Sequence, residues 1–207
     1  MSLETAVRLV RFRAEAMQSA VPVGVGGMAA VIGLADDAVE AAVAEARETG
    51  RVEAVNFNAP GQVVIAGEKA AVARAIECAK ARGCRRAIEL PVSAPFHSSL
   101  MQPAADKLAA RLAETEIQVP AIPVIANIDV EVHETPDAIR EALARQAAGA
   151  VQWVRTIERM KAAGITDIVE CGPGKVLTGL LRRTAPEING HNIFDAASLA
   201  AVLEKLN

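Results

Sequence analysis

Val52-Glu53-Ala54-Val55-Asn56-Phe57-Asn58-Ala59-Pro60-Gly61-Gln62-Val63-Val64-Ile65-Ala66 is the stretch that decides the fold. Residues 52–56 and 62–66 are rich in valine and isoleucine, as strands are. Between them, Asn58-Ala59-Pro60-Gly61 has turn chemistry: proline presets φ and glycine supplies a positive one. The two runs read as a hairpin. Outward from it, helical patterns cover 37–49 and 69–82, and apolar runs at 27–32 and 85–90 read as further strands. The resulting order, βαββαβ, is the split βαβ pattern of ferredoxin-like domains. A four-stranded antiparallel sheet with two helices on one face is expected over about 19–92.

Composition narrows the class. The chain has 207 residues and is 52% hydrophobic, enough for one large domain or two small ones with a sizeable core. Aromatics are 2%, with no Tyr and one Trp, which argues against stacking platforms for nucleic acid. A net charge of −3 argues against a general polyanion binder. Cys78, Cys84 and Cys171 are odd in number and form no CxxC pair, so a reduced, cytoplasmic setting is expected and a metal site is not. The N-terminus lacks the charged and apolar regions of a signal peptide, and the apolar runs are too short to cross a bilayer. No membrane or nucleic-acid partner is expected.

Residues 3–18 read as a helix, with Leu3, Val7, Val10, Ala14 and Met17 as its apolar stripe. Glu4 with Arg8 and Arg11 with Glu15 are i,i+4 pairs on another face. The pattern after 93 differs. It predicts a helix over 99–113, short β runs at 123–127 and 130–132, and helices at 136–147 and 151–163. A strand at Asp167–Cys171 follows, then Gly172-Pro173-Gly174-Lys175, a helix at 176–183 and a last helix at 197–206. Segments 1–18 and 93–207 are expected to form part of a larger parallel α/β layer.

His97 is the leading general base. It follows Ala94-Pro95-Phe96 where a strand-like run ends and a helix begins, a place that can hold a proton-transfer group rigidly beside a cleft. Its second ring nitrogen needs an acceptor, which no acidic residue in the sequence identifies, and a backbone carbonyl would serve. Arg13, on the edge of the apolar stripe, suits bidentate capture of a carboxylate, or else snorkels past the stripe. Gly172-Pro173-Gly174-Lys175 lacks the P-loop spacing and reads better as a tight turn. Cys171 reads as a small core residue, Ser98 and Ser99 as helix caps, and His133 and His191 as solvated loop residues. Arg85-Arg86 and Arg182-Arg183 are either solvated or face an acidic partner. No GxSxG elbow occurs in the 207 residues, so the sequence presents a base without a nucleophile.

The chain resembles the malonyl-CoA:acyl-carrier-protein transacylases of fatty acid synthesis. The resemblance runs through Val7–Gln18, Gly27-Met28-Ala29-Ala30-Val31-Ile32-Gly33-Leu34 and Val55-Asn56-Phe57-Asn58-Ala59-Pro60-Gly61-Gln62-Val63-Val64-Ile65-Ala66-Gly67. It continues through Leu90-Pro91-Val92-Ser93-Ala94-Pro95-Phe96-His97, Val151-Gln152-Trp153 and Glu170-Cys171-Gly172-Pro173-Gly174-Lys175-Val176-Leu177. It implies an α/β-hydrolase-like large subdomain (1–18 and 93–207) with an inserted ferredoxin-like small subdomain (19–92). By resemblance His97 is the catalytic histidine, Arg13 binds the malonyl carboxylate, and Phe96 crowds an α-methyl branch. Gln146 supplies the main-chain carbonyl that orients the histidine, and Arg85, Arg86, Arg182 and Arg183 flank the carrier-protein groove. No cofactor is implied. Malonyl-CoA is the substrate, and the acyl carrier protein brings its own phosphopantetheine thiol.

The family's serine elbow lies in an N-terminal portion that these residues do not match. The expectation is a chain inactive alone, with the serine carried on a separate N-terminal portion. A non-catalytic carrier-protein-binding or scaffold remnant is the alternative, and a hydrolase using Cys171 ranks below both.

Overall fold

The structure, a computed structural model, describes residues 1–206 and divides into two compact units, Met1–Gln152 and Trp153–Asn207. In the first unit, β1 (Gly26–Ile32), α1 (Leu3–Gln18), α2 (Asp36–Ala46), β2 (Val52–Ala59), β3 (Gln62–Glu68), α3 (Lys69–Ala81) and β4 (Arg86–Glu89) contain the expected βαββαβ order. The sheet runs β2-β3-β1-β4 and every pairing is antiparallel.

Alternation along the strands sorts the two faces. Ala29 and Val31 of β1 and Val63 and Ile65 of β3 face α2 and α3, together with Val39, Val43, Val72 and Ile76. Met28, Ala30, Val55, Val64 and Ala66 point the other way and are covered by Leu90 and Phe96. The sheet is therefore buried on both sides, which is why β1 reads as a continuous apolar run. The second face is what seats the segment around His97.

The hairpin is tighter than expected. Strand β2 continues through Asn58 and Ala59, leaving Pro60-Gly61 as the corner, with Gly61 at φ 68. Register shifts at Ala54/Asn56 and Phe57/Ala59 interrupt its pairing with β3.

Helices α1, α4 (Gln102–Ala113) and α5 (Pro136–Ala148) pack together. Leu9 and Phe12 meet Leu108, Leu112, Ile117, Ala144 and Ala147, while Ala16 and Met17 meet Ala94, Met101 and Ala104. The buried face of α1 is thus not the expected stripe. Leu3, Val7 and Val10 are 81%, 61% and 64% exposed, and of that set Met17 is buried. The expected pairs Arg8–Glu4 and Arg11–Glu15 do form on the exposed surface.

Other expectations are corrected. The β runs at 123–127 and 130–132 reduce to one bridge, Ile125 with Val132. Val151 leaves its expected helix to bridge Asn56 of β2, and the helix begins at Trp153. The expected helix at 99 opens with a 3₁₀ turn, Ser99–Met101, and the Ser98 hydroxyl donates to Pro95 O at 2.7 Å instead of capping it.

In the second unit, β5 (Asp167–Cys171) pairs in parallel with β6 (Asn189–Ile193), a strand the sequence did not suggest. Helices α6 (Trp153–Ala162), α7 (Val176–Thr184) and α8 (Ala196–Leu206) accompany them, around Ile157, Leu181, Ala185 and Ile188. His191 lies on β6 with its side chain 11% exposed and Nε2 2.9 Å from an Asp167 oxygen, so it is not a solvated loop residue. His133, 19% exposed, meets Asp129 at 3.3 Å. Cys171 is exposed, not a core residue.

Candidate active site

The backbone at His97 carries the site. Its φ is 65, a left-handed conformation uncommon outside glycine, in a turn that follows Pro95. The turn sits on β1, where Gly26 leaves room for the Pro95 ring. A Cβ at Gly26 would strike Pro95 Cδ.

Helix α5 supplies the acceptor for the imidazole. The last four carbonyls of a helix lack partners within it, and Gln146 falls in that last turn before the extended Gly149. His97 Nδ1 lies 3.0 Å from Gln146 O. A carbonyl only accepts, so Nδ1 carries the proton and Nε2 is left as the basic nitrogen. Burial pushes the imidazole pKa below its ordinary 6.5. The Gln146 carbonyl opposes that shift, the Arg13 charge adds to it, and the Gly149 carbonyl opposes it. The net result is a neutral histidine near pH 7, the state a base requires.

Arg13, Phe96 and His97 line one cavity of about 420 Å³. Among the described residues no carboxylate pairs with the Arg13 guanidinium, and burial lowers its pKa. A half-buried guanidinium without a counter-ion has the chemistry to pair with a carboxylate. Gln18, Asn56 and Asn58 line the same cavity and were not singled out from the sequence. The signal available was two asparagines two apart in a strand, hence on one face. A second, mostly apolar cavity of about 480 Å³ meets His97 from the side of Gln146 and Leu143.

The glycine loop is a structural turn. Glu170, on β5, reaches the start of α7, where Leu177 N donates to Oε1 at 3.1 Å and Thr178 N to Oε2 at 2.8 Å. A carboxylate stands where a bound phosphate would. Arg85 and Arg86 are exposed at the head of β4, and Arg182 and Arg183 are exposed in the last turn of α7. The two pairs belong to different units. Among the described residues, no three His, Cys, Asp or Glu side chains gather as a metal site, and no helix is long and apolar enough to cross a membrane.

Residues 1–204 match the acyl transferase domain family. The chain belongs to that family. It is 50% identical over 199 residues to the malonyl CoA-acyl carrier protein transacylase of Escherichia coli (strain K12), a match covering 96% of this chain and 64% of the relative. The Bacillus subtilis (strain 168) transacylase is 38% identical over all of this chain and 65% of its own length. The chain thus spans about 64% of the length of the curated relatives it matches. Among solved structures, the acyl-carrier-protein S-malonyltransferase of Burkholderia pseudomallei 1710b superposes with a TM-score of 0.96 at 56% identity, over 99% of this chain and 66% of that one. A malonyl-transacylase in complex with a type II PKS acyl-carrier protein gives 0.94 at 46% identity, over 97% and 65%. The acyl transferase chain shares their α/β fold, with its ferredoxin-like subdomain.

Proposed function

We propose that this acyl transferase chain takes part in malonyl transfer from malonyl-CoA to the phosphopantetheine thiol of an acyl carrier protein, in cytoplasmic fatty acid synthesis. The observation that carries this reading is one cavity shared by an unpaired arginine and a histidine whose tautomer is set by Gln146 O. Arg13 holds the malonyl carboxylate by a two-pronged contact. Phe96 bounds the pocket and disfavours branched acyl groups. His97 Nε2 takes the proton from an attacking serine hydroxyl as that oxygen bonds to the thioester carbonyl. It returns the proton to the departing coenzyme A sulfur. In the second half it deprotonates the carrier's thiol, the sulfur bonds to the ester carbonyl as the bond to the serine oxygen breaks, and the imidazolium returns that proton to the departing serine oxygen. No cofactor takes part.

The serine is the group these 207 residues lack in elbow form. The reading assigns it to a portion outside them, and assigns 19–92 to a small subdomain set into a large one formed by 1–18 and 93–207. Arg85, Arg86, Arg182 and Arg183 then face the acidic carrier.

The test is reconstitution. The chain is mixed with malonyl-CoA, alone and with the serine-bearing N-terminal portion of the Escherichia coli relative, and intact masses are read. A malonyl adduct on the added portion only with this chain present is expected. An adduct on the isolated chain would refute the assignment of the nucleophile. No adduct in either mixture, with both portions folded and associated, would favour a carrier-binding scaffold.

A further inference from the structure

We propose that Glu53 is a positioning residue for His97: from β2 its carboxylate accepts the Ser99 backbone N–H at 2.8 Å and holds the left-handed turn that aims the imidazole at Gln146. A non-glycine residue at positive φ persists only where its surroundings over-determine it. Within the turn, Phe96 N donates to Ala94 O at 3.0 Å, the Ser98 hydroxyl to Pro95 O at 2.7 Å and Met101 N to Ser98 O at 2.9 Å. These bonds are local, so they shape the turn without fixing where it points.

Besides the Phe96 ring on the sheet's second face, two contacts from the sheet bracket the histidine. Pro95 rests on Gly26 of β1, ahead of the histidine. Glu53 binds Ser99, just past it and 46 residues distant in sequence. Among the described residues no cation pairs with Glu53, so the Ser99 N–H is the partner its carboxylate has. A carboxylate on the free N–H of a helix start is a charge-assisted bond.

The same strand also holds the other end of the His97–Gln146 bond. Val151 N donates to Val55 O at 2.8 Å, and Phe57 N donates to Val151 O at 3.0 Å. Strand β2 therefore grips the imidazole's turn by one side chain and the segment following the Gln146 carbonyl by its main chain. Removing the carboxylate releases one partner while the other stays fixed. The inference concerns geometry and does not depend on which acyl group the cavity takes.

The experiment reads the imidazole directly in the full 207-residue chain labelled with ¹⁵N. Long-range proton–nitrogen spectra report the His97 tautomer, and solvent exchange reports how well the Nδ1 proton is held. A single Nδ1–H tautomer is expected for the unaltered chain. Glu53→Ala should give mixed tautomers and Nδ1–H exchange about tenfold faster, at a nearly unchanged melting temperature. Glu53→Gln keeps a carbonyl acceptor and should restore most of the protection. If Glu53→Ala does not fold, Glu53→Asp carries the same expectation, because it shortens the reach by one methylene while keeping the charge. Unchanged tautomer and exchange in Glu53→Ala, or in Glu53→Asp where that stands in for it, would overturn the proposal. So would a Glu53→Gln chain as poorly protected as Glu53→Ala.

Discussion

His97 and Gln146, 49 residues apart, are joined by a 3.0 Å contact between imidazole Nδ1 and a main-chain carbonyl. The acceptor has no side-chain chemistry. It is free because α5 ends there, at Gly149, where a Cβ would collide with Ile128 Cδ1. A helix terminus thus decides the tautomer of the candidate base.

The lowered His97 pKa makes stability depend on pH in one direction. The unfolded chain binds this proton more tightly than the folded chain. Stability therefore falls as pH drops through 6.5 toward the lower folded value, and above 6.5 the contribution is constant. Urea denaturation at about pH 7.5 and about pH 5 should show a larger loss in the unaltered chain than in His97→Gln. Equal losses would show that the imidazole titrates alike in both states.

Arg13 is expected to select for a free carboxylate. In the reconstituted pair, Arg13→Ala should cost malonyl transfer about 2 kcal/mol in kcat/KM, the worth of a lost charged hydrogen bond, and acetyl transfer far less. Arg13→Lys should recover only part, since a point charge cannot reproduce the fork. Equal losses for both acyl groups would mean that Arg13 supports only the fold.

Carrier docking should be sensitive to salt. Arg→Ala at positions 85, 86, 182 and 183 should slow association with an acidic carrier protein and flatten its salt dependence. Surface plasmon resonance from low to high ionic strength gives both quantities. A carrier that binds equally under all these conditions would remove the four arginines from the interface.

Glu170 caps α7 from a neighbouring strand. Burial alone would raise its pKa, but hydrogen bonds from the Thr178 hydroxyl and backbone and from the Leu177 and Val176 backbones win and lower it. Glu170→Ala should cost about 1 kcal/mol, as lost caps do, and hydrogen exchange should quicken first at Leu177 and Thr178. Unchanged protection of those amides would deny the cap.

The thiols should react in order of exposure. Cys171 is exposed, Cys84 partly covered and Cys78 buried, with burial and then Glu45 pushing the Cys78 thiol pKa up. A disulfide reagent should label Cys171 first and reach Cys78 only on unfolding. Early labelling of Cys78, read by peptide mass, would contradict this packing.

The antiparallel sheet was legible because its signals are local: short runs rich in valine and isoleucine, helical spacing between them, and a proline-glycine corner. His97 and Arg13 were legible as candidates, the one at the end of a strand-like run and the other beside an expected apolar stripe whose Leu3, Val7 and Val10 prove exposed. The strand β6 was not. Asn189-Gly190-His191-Asn192-Ile193 has turn residues, and it becomes a strand by pairing with β5 and by the Asp167–His191 contact. Long-range pairing overrode local propensity there.

By itself, the sequence determined the βαββαβ sheet and the absence of a GxSxG motif within these residues. Tertiary structure decided which stripe of α1 is buried. Leu9, Phe12 and Ala16 recur at helical spacing as well as Leu3, Val7 and Val10 do, and only the neighbours α4 and α5 choose between them. It also decided which carbonyl holds His97, that Arg13 shares its cavity, and that Glu53 ties down its turn. Periodicity says how a segment folds on itself, whereas these contacts join residues tens of positions apart, and their partners are set by packing.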